Sequence, residues 1–155
     1  MNNAYLYERL AIHDRLCHFQ SAFDLQDWQL MNECLSAELH VDYSSFRNDP
    51  PRLMSSSEYI ALRQAALSEL RMQHTFSNLL VTVSENEATA RCNYLILRFR
   101  TADCTSEADF FHSNGRYYFD LNKHDGQWRI CGIKQELIAN HGTPSLHKGI
   151  IPKSA

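Results

Sequence analysis

The sequence predicts an α+β fold, with helices packed on one face of a strongly curved antiparallel sheet. Three observations predict it. Helix-period patterns are confined to the first 71 residues, four long strand-like segments fill residues 73–138, and an Asp-Gly pair joins the last two of these as a hairpin.

From Ala4 to Phe23 the apolar residues Leu6, Leu10, Ile12, Leu16, Phe19 and Phe23 recur at helical spacing, and Asp24 closes this first helix. A short second helix follows in "DWQLMNECL", with Asp27 placed as its N-cap and Trp28, Met31 and Leu35 on one side. The segment "LHVDYSSF" alternates and carries β-branched and aromatic residues, which predicts a strand bearing Tyr43. "RNDPPRLM" reads as a loop, since Pro joins neither a ladder nor a helix interior. In "SSSEYIALRQAALSELR" the Ser55–Glu58 pair is a capping signature, and Tyr59, Leu62, Ala66 and Leu70 form the apolar stripe of a third helix. "QHTFSNLLVTV" and "ATARCNYLILRFR" are two strands joined at "SENE". "ADFFHSNGRYYFDLNK" and "GQWRICGIKQELI" are two more, joined at "HDG". The residues from 139 to 155, rich in Gly, Pro and Ser, are expected to be irregular. No repeat or linker divides residues 1–155, so a single domain is expected.

Composition narrows the function classes. Hydrophobic residues make up 44% of the 155 and charged residues 21%, as in ordinary globular proteins. A net charge of -3 with scattered Arg and Lys argues against nucleic-acid binding, which calls for a basic stripe. No signal peptide or membrane-spanning stretch is evident, so a cytoplasmic location and no membrane partner are expected. The five cysteines are widely spaced without a CxxC, which fits free thiols in a reducing compartment. Signatures for a serine nucleophile, a nucleotide phosphate loop or a zinc helix are missing, and His13 and His18, five apart, do not share a helix face; no metal site is expected.

What remains is a set of polar side chains on strand faces. On "GRYYFDLNK" the face Gly115, Tyr117, Phe119, Leu121 is the more apolar and is expected to point inward. Cys92, Tyr94, Ile96 and Arg98 share a face whose orientation period alone leaves open. His74 opens a strand, where a histidine is commonly a hydrogen-bonded structural residue. Asp24, near a helix C-terminus, opposes the helix dipole, so capping explains it poorly. Tyr43 is either strand packing with its hydroxyl at the rim or part of a pocket.

The string "FDLQDWQLMNECLSAELHVDYSSF", continued by "RMQHTFSN", "SENEA" and "HDGQWRICGIK", resembles the scytalone dehydratases, members of the SnoaL-like group within the nuclear transport factor 2-like superfamily. The resemblance implies a cone-shaped sheet wrapped by N-terminal helices around an apolar cavity. It implies that His74 is a general acid/base, that Asp24 orients it, and that Tyr43 acts on a substrate carbonyl. The implied chemistry is loss of water from a β-hydroxy ketone without metal or cofactor. An imidazole suits the role, because its ordinary pKa of about 6.5 lets it take and return a proton near neutrality.

The departures bear on substrate. The family's second carbonyl-activating tyrosine is Phe23 here, a pocket histidine becomes Arg98, and a pocket asparagine becomes Tyr117. Scytalone itself is therefore not the expected substrate. Arg98 either binds a carboxylate or polarises a carbonyl, or it faces outward as a solvated charge. The reading that results is a cofactor-independent dehydratase or isomerase for a hydrophobic, oxygenated small molecule of polyketide-, steroid- or aromatic-like character. Its rivals are a non-catalytic ligand-binding or scaffolding protein of the same fold, and a protein like the β subunit of ring-hydroxylating dioxygenases. A homo-oligomer, dimer or trimer, is expected, since such a sheet leaves an open face.

Overall fold

The computed structural model describes residues 3–149, which form six strands in one open curved sheet of order β2-β1-β6-β5-β4-β3, with N-terminal helices laid against it. Helix α1 (Asn3–Leu25) buries Ile12, Leu16, Phe19, Ala22 and Phe23. Leu6 and Leu10, counted on the same stripe from the sequence, stay exposed. There the helix is tied to the sheet by a polar link instead: Glu8 accepts from Trp128 Nε1 at 2.7 Å and from Lys123 Nζ at 2.6 Å. The helix ends in a Schellman arrangement, with Gln26 N–H on Phe23 O, Asp27 N–H on Ala22 O, and Gln26 in the left-handed region at φ 53°. Gln26 Nε2 donates to Leu70 O at 3.0 Å, so the last turn of α1 is pinned to the start of the third strand.

Helix α2 (Trp28–Cys34) is capped by Asp27, whose Oδ1 accepts from Leu30 N–H, as the sequence implies. Strand β1 (Leu35–Asp42) then stops one residue short of Tyr43, and "SSFR" is a one-turn helix, α3 (Ser44–Arg47), rather than a continuation of the strand. Asp42 causes the break: its carboxylate accepts from the Ser44 N–H and hydroxyl, an interaction that competes with the ladder. The expected Pro-containing loop is partly strand, since β2 (Arg52–Ser55) pairs antiparallel with β1. Helix α4 (Ser56–Leu67) begins at Ser55, whose Oγ accepts from Glu58 N–H, but it buries Tyr59, Arg63, Ala66 and Leu67. Leu62, the residue hydrophobicity alone selects for its stripe, lies outside at 38% exposed.

Strands β3 (Arg71–Ser84), β4 (Glu87–Phe99), β5 (Phe111–His124) and β6 (Gln127–Gly142) form an antiparallel meander. The β5–β6 turn is Asp125-Gly126, both with positive φ (49° and 76°), the geometry that the Asp-Gly signal demands. One pairing breaks the antiparallel pattern: β1 lies parallel to β6. Register shifts in β3 between Ser77 and Leu80, and between β5 and β6 at two places, mark bulges, which bend strands. Gly115 sits at one of them, where a Cβ would collide with Glu136 O and the Tyr94 ring. Strict alternation puts Gly115, Tyr117, Phe119 and Leu121 inside, as expected, and settles the open question on β4 by burying Cys92, Tyr94, Ile96 and Arg98. Strand β6 runs to Gly142, beyond the point where the sequence suggests an irregular tail, and a short 3-10 turn, Pro144–Leu146, follows. The rest of the expected tail, from residue 150, lies outside the described residues. Among the described residues no helix is long and apolar enough to cross a membrane, and all five cysteines are free, with Cys34 and Cys92 buried and Cys104 exposed.

Candidate active site

Asp24 projects from the last turn of α1 toward β3, an edge strand whose outward N–H groups have no neighbouring strand. Its carboxylate takes the His74 backbone N–H on both oxygens, at 2.9 and 3.0 Å, and the ring Nδ1 on Oδ1 at 2.6 Å. One acid thus fixes both the strand edge and the imidazole. The Nδ1 proton is committed to Asp24, so in the neutral ring the lone pair is on Nε2, which has no hydrogen-bond partner among the described residues. The His74 side chain is 3% exposed and that of Asp24 is 25% exposed. Burial pushes the imidazole pKa below its ordinary value; the hydrogen bond and charge of Asp24 work against this, and the Arg98 charge adds to it. Phe23, next to Asp24 on the same turn, lies face-on to the His74 ring with centroids 4.8 Å apart. Its contribution is a wall, where the resemblance expects a hydroxyl.

Tyr43, just past β1, is buried and hydrogen-bonded hydroxyl to hydroxyl with Tyr59 of α4 at 2.7 Å. One proton lies in that shared bond and the other remains for a third oxygen. Burial raises both phenol pKa values, so the pair stays protonated near neutrality. Tyr117 packs against Tyr94 with ring centroids at 4.7 Å and against Phe119 at 5.3 Å, and burial raises its pKa well above the usual phenol value. Arg98 faces inward at 3% exposed, donates from Nη1 to Ser113 Oγ at 3.0 Å, and is held to a pKa of about 10 chiefly by burial. No hydrogen bond among the described residues joins His74 to Tyr43. Arg98 is the electrostatic link, since its charge bears on both.

Two further arginines, on which sequence reasoning is silent, complete the interior. Arg47 and Arg63 are each 6% exposed. The Arg47 guanidinium carbon lies 4.5 Å from the Tyr43 ring centroid, and that of Arg63 lies 5.3 Å from the same centroid and 5.4 Å from that of Tyr59. Arg98 stands over Phe46 and Phe111 at 5.5 and 5.4 Å, and Arg47 also reaches Phe46 at 5.8 Å. Among the described residues none of the three has a carboxylate within ion-pair distance. The Nε atoms of all three, and Nη1 of Arg63, are buried without a hydrogen-bond partner. Desolvating a guanidinium costs several kcal/mol, and each ring contact returns about 0.5–2 kcal/mol. Stacking therefore offsets part of the cost and leaves the rest. His147, from the segment after β6, is 1% exposed, packs edge-on against Phe46 at 5.6 Å, and accepts the Gly149 N–H on Nδ1. Burial, with the Arg47 and Arg98 charges beside it, drives its pKa well below the ordinary value. One signal was available in the sequence: Arg63 stands at i+4 from Tyr59, on the face that buries.

Among the described residues no three His, Cys, Asp or Glu side chains converge as metal ligands would. Clefts of about 390, 440 and 590 Å3 on the surface are lined by residues such as Thr82, Glu136 and Asn78, and none of these three reaches His74.

Known proteins share both sequence and fold with this chain. It is 25% identical over 127 residues to the scytalone dehydratase-like protein AacuK of Aspergillus aculeatus, covering 77% of this chain and 72% of that protein. Among solved structures, the Kfla4162 protein of Kribbella flavida superposes with a TM-score of 0.85 at 19% identity, over 93% of this chain and 99% of that one. A hexachlorocyclohexane dehydrochlorinase, LinA type 2, superposes with a TM-score of 0.74 at 14% identity, over 97% of each chain. The family model described as a SnoaL-like domain matches residues 4–134, from the first helix to the middle of the strand that closes the meander, and the chain belongs to that family.

Proposed function

We propose that this protein is a cofactor-independent dehydratase or isomerase acting on a hydrophobic, oxygenated small molecule, with His74 as acid/base. The observation that carries the reading is the Asp24–His74 pair: a buried, neutral imidazole whose Nδ1 proton is held by a carboxylate and whose Nε2 is left to react. In a β-hydroxy ketone, Nε2 takes the proton from the carbon next to the carbonyl. Charge develops on the carbonyl oxygen, and the free proton of the Tyr43–Tyr59 pair, with Arg98, stabilises it. The imidazolium, favoured by Asp24, then delivers its proton to the departing hydroxyl. The C–H and C–O bonds break, a C=C bond forms, and water leaves. An isomerase differs only in where the proton returns. Tyr59 supplies the second hydroxyl that Phe23 lacks, from a different element of the fold. Scytalone dehydratase-like relatives support the dehydration reading, and a protein named as a hexachlorocyclohexane dehydrochlorinase shares the fold.

One observation favours a non-catalytic ligand-binding role: Phe23 covers the imidazole face without offering a hydroxyl. A thermal-shift screen over β-hydroxy ketones, enones and carboxylated aromatics, with mass spectrometry of each hit for loss of water, separates the two. A stabilising compound that loses water with the natural protein and not with His74→Ala supports the enzyme. Stabilisation with no turnover under any condition overturns it in favour of binding.

A further inference from the structure

Arg47, Arg63 and Arg98 are buried, share the rings of Tyr43 and Phe46, and hold four donor nitrogens with no acceptor. The neighbouring carboxylates are engaged elsewhere or stand off: Asp42 pairs with Lys134, Glu58 with Arg52, Glu69 with Lys148 and, across the interior, Asp24 with His74, while Asp49 acts on Arg47 only from beyond contact. His147 offers no negative charge, and because its Nδ1 accepts from Gly149, its neutral form carries the proton on Nε2 as one more donor. Apart from the distant Asp49, the titratable groups that act on the cluster are phenols, an imidazole and the other guanidinium groups, so the interior holds an excess of positive charge and of donors. A hydrophobic or amphipathic neutral ligand leaves that excess unanswered. A carboxylate answers it, because guanidinium forks bind carboxylates in bidentate fashion. The flat aromatic surroundings, with Tyr94, Tyr117, Phe46 and Phe111 among them, suit a planar ring attached to the anion.

We infer that the molecule handled at this site is an organic anion, an aromatic or unsaturated cyclic carboxylate whose carboxyl group sits on Arg47, Arg63 and Arg98. This deepens the proposed function and rests on the His74 end being the reactive end of the same interior. Arg98 joins the two ends, since its guanidinium influences His74 on one side and Tyr43 and Tyr117 on the other. A substrate bound by its carboxylate also neutralises Arg98, which leaves the Tyr43–Tyr59 hydroxyls to stabilise the oxyanion, removes one of the influences that depress the His74 pKa and prepares the imidazole to hold a proton in transit.

The test uses benzoate and 2-naphthoate as probes, with benzamide and 2-naphthamide as neutral isosteres and inorganic phosphate as a generic anion, titrated calorimetrically against the natural protein. The carboxylates are expected to bind at least about tenfold more tightly than their amides, the loss that one charge-assisted hydrogen bond represents. Arg98→Met and Arg63→Met are each expected to weaken the carboxylates by about tenfold or more and the amides by clearly less. Far-ultraviolet circular dichroism establishes that each variant is folded, and Arg98→Lys, which keeps the charge and loses the fork, is expected to fall between. Amides that bind as well as carboxylates, or arginine variants that bind carboxylates unchanged, overturn the inference. Phosphate binding as tightly as 2-naphthoate overturns the carboxylate assignment in favour of an inorganic or phosphorylated anion. Failure of the proposed chemistry reads differently: carboxylate binding that depends on the arginines, without turnover of any hit, leaves the anion site standing and removes the dehydratase. Turnover of neutral ketones with no carboxylate preference does the reverse.

Discussion

The two ends of the interior are built on opposite terms. At the Asp24–His74 end, a carboxylate answers both the imidazole and the strand N–H beneath it, and Phe23 fixes the ring plane. At the arginine end, buried cations stack on aromatic rings and keep donors without acceptors. The first end is finished before any ligand arrives, as the proposed acid/base must be if reorganisation is not to slow each turnover. The second end is incomplete, which is what a binding subsite looks like when its ligand supplies the missing charge. Stability and function therefore pull in different directions at the two ends, and substitutions separate them.

The largest effect falls on the reactive end. His74→Ala removes the proposed acid/base, and turnover of the substrate is expected to fall by about 10²–10⁴-fold, the usual share of a general acid/base. The folded state should survive, because the lost ring is replaced by space next to Phe23 rather than by an unpaired charge. Steady-state kinetics beside a thermal melt check both halves, and turnover within threefold of the natural protein breaks the contrast at its root.

Asp24→Asn comes next. The amide still reaches the His74 N–H with its oxygen but gives up the negative charge that favours imidazolium. The rate should drop by about 10–100-fold, less than the roughly 10²–10⁴-fold that an acid/base itself supplies, because the imidazole stays in place. The acidic limb of the pH–rate profile should move too. Asp24 raises the His74 pKa against burial, so its loss lowers that pKa further and carries the limb to lower pH. A profile that keeps its limb while the rate falls would mark Asp24 as purely structural.

At the other end the expected sign is reversed. Arg63→Met replaces a buried, unpaired guanidinium with an apolar chain of similar length, and the free protein should gain stability, by about 1–4 kcal/mol on the precedent of buried ionic groups exchanged for hydrophobic ones. In a chain of this size each kcal/mol moves the melting temperature by about 2–4 °C. A lower melting temperature would show that stacking on Tyr43 and Tyr59 outweighs desolvation and that the cluster is structural.

The sequence speaks clearly where local chemistry decides and falls silent where tertiary context does. Asp125-Gly126, the Asp27 and Ser55 caps, and the inward face Gly115-Tyr117-Phe119-Leu121 are legible because turn geometry and a period of two leave little choice. Strand β2 is not, because only Met54 of its four residues is buried and two prolines precede it. The stripe of α4 goes wrong at Leu62, since hydrophobicity favours it while the fold buries Arg63, and Leu70, though buried, lies past the helix end at Leu67. The error at Leu62 and the silence on Arg47 have one cause: an interior that accepts unpaired cations breaks the rule by which interiors are recognised. Asp24 and His74, fifty residues apart, meet only through the Schellman end of α1 and the edge position of β3, so a family resemblance brings them together where residue pattern alone does not. His147 was hidden because a segment rich in Gly, Pro and Ser gives no sign that one of its side chains packs against Phe46.

The smallest effect is a pH dependence of stability that both ends share. The folded-state pKa values of His74 and His147 lie below the ordinary imidazole value, in each case through burial first. A group with a depressed folded pKa binds more protons unfolded than folded in the window between its two pKa values, so stability rises with pH across that window. The stability these histidines contribute is thus fully present above about pH 6.5, the unfolded value, and is lost as pH falls through the folded values. Each can contribute at most about 1.4 kcal/mol per pH unit. The carboxylates held low by their partners, Glu8 by Lys123 and Trp128 and Asp42 by Ser44, act in the same direction but only near the carboxylate range, further toward acid. Urea midpoints at pH 7.5 and 5.5 therefore isolate the histidines. The natural protein should lose stability over that interval, and His147→Phe, which keeps the contact with Phe46 and removes the titrating ring beside Arg47 and Arg98, should lose less. If the two proteins lose the same amount, the imidazole beside the arginines is not protonated on unfolding in this range, and the positive field assigned to that end of the interior is weaker than three unpaired guanidinium groups require.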